Sequence, residues 1–183
     1  VKDHVKIAKN IVAEVRPLAF FGDYLKQGYF PYFMDDPNFY VNKLLKHINL
    51  ALEIDVPYVN QIELKYLSKL RKLLHIIATE TPFTPNVSKL ATAVQTSRAT
   101  VMNYLKYLKN AKLIHMLHSN GDDDQIKKPD KVYLHNTNLI YAIAPNNTKN
   151  VNLRQTFFYN QVGYKCQLRT SPKADFCVDG KYH

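Results

Sequence analysis

Between residues 62 and 134 the chain alternates helical spacing and chain breakers in an order that few folds accommodate. Leu67, Leu70, Leu73, Leu74 and Ile77 stand at i, i+3, i+6, i+7 and i+10, the apolar stripe of a helix over 62–80. Pro82 and Pro85 end it, because proline cannot continue the i→i−4 ladder. Val87 to Val94 has the length of a short helix, with Ser88 as its expected N-cap. Gln95-Thr96-Ser97 then forms a turn into a longer helix that reaches about Ala111. Leu113 to Leu117 and Lys131 to Leu134 read as strands, joined by a loop that contains Gly121-Asp122-Asp123-Asp124. Helix, short helix, tight turn, longer helix and two-stranded hairpin is the order of a winged helix–turn–helix.

The flanks read differently. Val5, Ala8, Val12 and Val15, with Ile11 beside them, give a helix over 2–16 that Pro17 ends. An aromatic cluster follows, Phe20, Phe21, Tyr24, Tyr29, Phe30, Tyr32 and Phe33, with Gly22, Gly28 and Pro31 expected to break any long element. These rings either pack between helices or dock on something outside the chain. A helix over 38–53 presents Val41, Leu44, Leu45, Ile48 and Leu52, with Pro57 beyond its end. After the linker-like Pro145 to Asn150, Leu153 to Gly163 reads as a helix. Tyr164 to Leu168 and Ala174 to Val178 read as strands, and Asp179-Gly180 is a hairpin turn signal. The sheet begun there has an unpaired edge at His183, the expected sign of a truncated domain.

Composition narrows the function. Among 183 residues there are only five glycines, and neither a G-x-x-x-x-G-K-[ST] nor a G-x-G-x-x-G motif, so these residues cradle no nucleotide phosphate in the manner of a P-loop. No apolar run is long enough for a membrane span, and a reduced, cytoplasmic setting is expected. Net charge is +10. Residues 81–120 carry five basic groups and no acid, which is half of that net charge. An unopposed basic block suits a polyanion such as nucleic acid, and equally suits a solvated lysine-rich helix face.

The longer helix separates its residues cleanly. Val101, Tyr104, Leu105 and Leu108 form a core-facing stripe, and Ala99, Asn103, Lys106 and Asn110 form the opposite face, flanked by Thr100, Met102 and Tyr107. The amino-terminal part of a recognition helix, here Ser97 to Asn103, meets base edges. Asn103 suits bidentate pairing with adenine, Ala99 and Thr100 permit close approach or contact a thymine methyl, and Lys106 suits a phosphate. Arg98 reaches a phosphate or a guanine. On the hairpin, Lys127, Lys128 and Lys131 favour phosphate, whereas Asp122 to Asp124 oppose it. A winged helix used for domain packing or self-association is the competing reading.

Other chemistry is thinly signalled. The seven histidines are scattered, and His115 and His118 point to opposite faces of a strand, so no metal clamp is expected. Cys166 and Cys177 fall on the two strands of one hairpin, where they could face each other, and are expected to be reduced. Asp179-Gly180-Lys181 has the look of a nuclease motif, but it forms a turn and follows Asp175 too closely for two metal-binding strands.

Taken together, the motifs resemble the C-terminal half of bacterial AAA+-like ATPases whose nucleotide-binding domain precedes a winged helix and a restriction-endonuclease-like module. The resemblance is carried by Tyr24 to Pro31, Ile54 to Pro57, Pro82 to Asn86, Ser97 to Val101, Lys128 to Leu134, Asn136 to Leu139, Arg154 to Phe158 and Ala174 to Asp179, in order along the chain. It implies a mainly α fold in three parts. Residues 1–62 would be a helical lid and connector, 63–143 a winged helix–turn–helix, and 144–183 the opening helix and hairpin of an α/β nuclease-like domain. ATP and Mg²⁺ would belong to a preceding ATPase domain. Asp175 would match the first metal-binding carboxylate of the nuclease-like fold, with the second acid and lysine falling after His183 and Gln155 standing where a glutamate is usual. The expected function is therefore non-catalytic: double-stranded DNA binding that targets an attached ATPase. The alternative is an interaction or homo-oligomerisation module of the same ATPase.

Overall fold

The computed structural model describes residues 2–61, 63–119 and 127–183. It is mainly helical, with 64% helix and 8% strand, as the periodicities predict. The amino-terminal helix α1 (Lys2–Glu14) forms where its spacing places it, yet Val5, Ile7, Ile11, Val12 and Val15 are each about half exposed. Among the described residues, its apolar stripe is left largely exposed. Helix α2 (Pro17–Gln27) runs straight through Gly22 rather than breaking there, since one mid-helix glycine costs only about 1 kcal/mol. A single turn, α3 (Tyr32–Asp35), leads to α4 (Tyr40–Leu50), which buries Tyr40, Leu44 and Ile48 while Val41 stays exposed.

The helix expected over 38–53 does not stop before Pro57. It widens at Ala51–Asp55, where the Val56 amide bonds to the Ala51 carbonyl five residues back, and continues as α5 (Val56–Asn60). The wide turn has a local cause: Pro57 has no amide proton and its ring would collide with the carbonyl four residues earlier.

Helix α6 (Leu67–Glu80) buries Leu70, Leu73, Leu74 and Ile77, as its spacing predicts. The side chain of Asn147 donates to the carbonyls of Ala78 and Thr81, satisfying acceptors left over at the end of α6. Helix α7 (Val87–Ala93) is capped by Asn86, whose Oδ1 accepts from the Lys89 amide at 3.1 Å, so Ser88 is not the cap. Helix α8 (Arg98–Asn110) leads into strands β1 (Ile114–Leu117) and β2 (Lys131–Leu134), antiparallel with Ile114 opposite Leu134. Phe83, between α6 and α7, adds a third rung: its amide and carbonyl exchange bonds with Val132.

The ribbon is buried on both faces, and the alternation of the pleat divides its residues. Ile114, Met116, Val132 and Leu134 join one core with α4, α6, α7 and α8. Leu117 and Tyr133 join a second core with Tyr159, Leu168 and Phe176. That second core is closed by α10 (Asn150–Val162) and a terminal hairpin of β3 (Leu168–Arg169) and β4 (Cys177–Val178). Asp179 and Gly180 both take positive φ, as the turn signal requires, and Val178 bridges to Tyr182 beyond them. The strands are shorter than expected. Cys177 lies opposite Arg169, so the two free cysteines do not face each other.

Helix α9 (Thr137–Ile143) has no amphipathic signal because Asn136, Thr137, Asn138, Leu139 and Ile140 are all buried. It is the point where the flanks meet. Asn138 Nδ2 donates to the Gln27 carbonyl at 3.2 Å and to the Tyr40 hydroxyl at 2.8 Å, and that hydroxyl in turn donates to the Gln27 carbonyl. The first core runs without interruption from Tyr40 to Leu153, across both expected domain boundaries. Among the described residues, no helix is long and apolar enough to cross a membrane.

Candidate nucleic-acid interface

The geometry of α8 begins one turn earlier. At the end of α7, Gln95 takes a left-handed φ of 53°, the Thr96 amide bonds back to the Ala91 carbonyl, and the Gln95 amide bonds to Thr92. That pattern closes the helix and reverses the chain within three residues. Ser97 then starts α8 from an extended backbone, its Oγ accepting from the Thr100 amide at 3.1 Å and contacting the Thr100 hydroxyl at 2.8 Å. Lys69 of α6 donates to the Gln95 carbonyl and pins the turn to the core. Ser97 and Thr100, two of the expected DNA contacts, therefore hold each other at the helix start. Replacing Ser97 by Ala should cost about 1 kcal/mol of unfolding free energy, read as a lower urea midpoint at unchanged slope. No loss of stability would mean the cap carries no weight.

Packing fixes the roll of α8. Val101, Tyr104, Leu105 and Leu108 are buried, Leu105 and Leu108 completely, so the helix cannot rotate without exposing them. Arg98, Ala99, Asn103, Lys106 and Asn110 are consequently exposed, and Thr100, Met102 and Tyr107 are half-buried at the edges, as the spacing predicts. Among the described residues neither Arg98 nor Lys106 is engaged in an ion pair. The face is a platform of two asparagine amides, two cations and small side chains, with no acid among them. Such a set can donate to base edges and neutralise phosphates.

Lys127 and Lys128 are exposed just ahead of β2, where they approach the ribbon from the loop. The aspartates expected to oppose phosphate, Asp122 to Asp124, lie outside the described residues.

At the far end of α8 the structure assembles a group that sequence spacing does not reveal. His115 and His135 are diagonal neighbours on one face of the ribbon, with ring centroids 4.3 Å apart, and Tyr159 of α10 stacks on the other side of His115, also at 4.3 Å. Burial, then the neighbouring His135, holds the His115 imidazole down at about 3. Burial, then Lys112, holds His135 down at about 4. Both rings are neutral near pH 7. The sequence signal for this group is two histidines at same-face positions of paired strands, which only the register reveals.

Around Asp175 the chemistry does not suit a divalent cation. Its carboxylate lies 3.7 Å from the Arg154 guanidinium, and the buried neighbour on α10 is Gln155, a neutral amide. Among the described residues no three His, Cys, Asp or Glu side chains are grouped as metal ligands.

Comparison with known proteins gives one family. The model of a domain family described as Domain of unknown function (DUF8612) matches residues 19–150, from α2 to the start of α10. No curated protein and no solved structure matches the chain.

Proposed function

The chain belongs to the DUF8612 family, and we propose that residues 63–143 act as a winged helix that binds double-stranded DNA through α8. The observation that carries the reading is the exposed, acid-free face of a helix whose roll and start are fixed by its buried stripe and by Ser97. The Phe83 rung supports it as well, since a strand residue between the first two helices of the motif pairs with the ribbon. In this reading Asn103, Ala99 and Thr100 face base edges, Arg98 and Lys106 meet phosphate or guanine, and Lys127 and Lys128 hold the backbone beside the loop. Following the family resemblance, the region serves as the non-catalytic targeting part of a cytoplasmic AAA+-like ATPase, with ATP and Mg²⁺ belonging to its nucleotide-binding domain.

The test is fluorescence anisotropy with a labelled duplex at several salt concentrations. Wild type should bind in the micromolar range, with affinity falling steeply as salt rises, because phosphate contacts release counterions. The double change Asn103→Ala, Lys106→Glu should weaken binding about tenfold or more and flatten the salt dependence. A folded protein that ignores DNA at low salt, or a double variant that binds like wild type, would sink this reading.

A specific observation favours a second reading, an interaction or self-association module. The apolar stripe of α1 is about half exposed among the described residues, and Leu18 and Phe20 at the start of α2 are 87% and 63% exposed. Sedimentation at rising concentration would separate the two: self-association abolished by Val12→Asp with DNA binding absent belongs to the module.

A further inference from the structure

Every side chain of α1 from Asp3 to Glu14 is exposed, and so are Val15 and Arg16 beyond it. The helical turn continues through Val15, whose amide bonds to the Ile11 carbonyl. A helix of 13 residues left exposed on its apolar side is marginal in water, where about 12–15 residues are needed to offset the cost of starting it. At about 3.6 residues per turn, Val5, Ile7, Ala8, Ile11, Val12 and Val15 share one face, and His4 in the first turn is the polar residue among them.

The two edges of that face carry opposite charge. Lys9 and Arg16 border it on one side, Asp3 and Glu14 on the other, and Lys6 lies at the back. Among the described residues, none of the four bordering groups is engaged in an ion pair. This division selects what covers the face. An anionic membrane surface attracts one edge and repels the other. A second copy of α1 complements both edges, but in one orientation alone. A two-fold axis running along the helices sets the basic edge of each copy against the acidic edge of the other. A two-fold axis running across them sets like against like, Lys9 towards Lys9 and Asp3 towards Glu14.

We propose that α1 pairs with α1 of a second copy of this chain, parallel and side by side, with Glu14 of each copy against Arg16 of the other. The two residues differ by about 3 Å in level along the axis, within reach of an arginine. Burial of the apolar face supplies the attraction. The exposed ion pairs add little affinity but fix the direction of the partner, as flanking charges do in coiled coils. The inference deepens the self-association reading of α1 and rests on it; it does not depend on whether α8 binds DNA.

Sedimentation equilibrium of the full chain at low salt tests it. Two short helices bury less than a standard interface, so wild type should dimerise with a Kd on the order of 10–100 µM. Val12→Asp should leave a monomer. Glu14→Arg sets cation against cation across the pair and should weaken dimerisation about threefold or more. A cation near the carboxyl end of α1 favours the helix itself, so that loss would not come from unfolding α1. Arg16→Glu should weaken the dimer similarly, and the double exchange Glu14→Arg, Arg16→Glu should restore it to within about twofold of wild type. An antiparallel pair predicts the opposite sign, since Glu14→Arg would then relieve a clash of acids. Association that is lost in Val12→Asp but strengthened or unmoved by Glu14→Arg would overturn the parallel pairing and leave self-association standing. A wild type that stays monomeric at about 0.5 mM, or that dimerises regardless of Val12→Asp, would overturn both. A monomer that instead binds phosphatidylglycerol vesicles would assign the face to a membrane surface.

Discussion

Gly28→Ala should be strongly destabilising, lowering stability by about 3 kcal/mol and the melting temperature by about 8 °C. Gly28 ends α2 with φ 62° and ψ −144°, a region open essentially to glycine alone. A β-carbon there would also stand 2.7 Å from Asn136 Oδ1 and 2.8 Å from Asn138 Nδ2. Side-chain tips often swing away at little cost, but these two are locked. Asn136 Oδ1 accepts the Asn138 amide at 3.1 Å as the cap of α9, and Asn138 Nδ2 serves both the Gln27 carbonyl and the Tyr40 hydroxyl. Moving either strands buried polar groups. Gly22→Ala is the internal control. It sits mid-helix with nothing within 4 Å of the new carbon, and should stabilise by about 0.5–1 kcal/mol. Thermal melts of the three proteins decide the matter, and equal effects from the two substitutions would show that α2 is not clamped to α9.

The second large effect is acid destabilisation centred on His115 and His135. Their folded values lie near 3 and 4, whereas an unfolded histidine titrates near 6.5. As pH falls below 6.5 the unfolded chain takes up protons that the folded chain refuses, so stability is complete above that value and is lost progressively towards pH 4. Two such groups should remove about 3 kcal/mol between pH 7 and pH 5. Urea midpoints at both pH values measure it. His115→Gln should cut the loss by about half, whatever its own cost at pH 7, because only the difference between the two pH values is read. A wild-type midpoint that does not move would mean the rings are protonated in the folded state.

The parts readable from the chain and the parts that were not differ by range of interaction. Helix α8 was legible to within about one residue at its end because its signals are local: a stripe at 3.6-residue spacing and a turn before it. The strands β1 and β2 were legible for the same reason. Local cues misled where two competed. Asn86 caps α7 in place of Ser88 because the backbone is still extended there, two residues earlier, and its side chain reaches the Lys89 amide. Gly22 bends nothing because the helix on both sides outweighs it.

What no local pattern carries is the meeting of distant segments. Periodicity and caps dictated where the helices of this protein form and which face of α8 is wet, since backbone sterics and side-chain spacing act within a few residues. Burial of Asn136, Thr137 and Asn138 in α9, the Phe83 rung, the clamp on Gly28 and the stacking of His115 on His135 all depend on partners 20 or more residues away. A polar side chain reads as surface in a sequence, and only the tertiary fold supplies the hydrogen bonds that make its burial affordable. The exposed face proposed to read DNA was therefore visible from the residues alone, whereas the stack of His135, His115 and Tyr159 exists only because strand register and α10 bring the rings together.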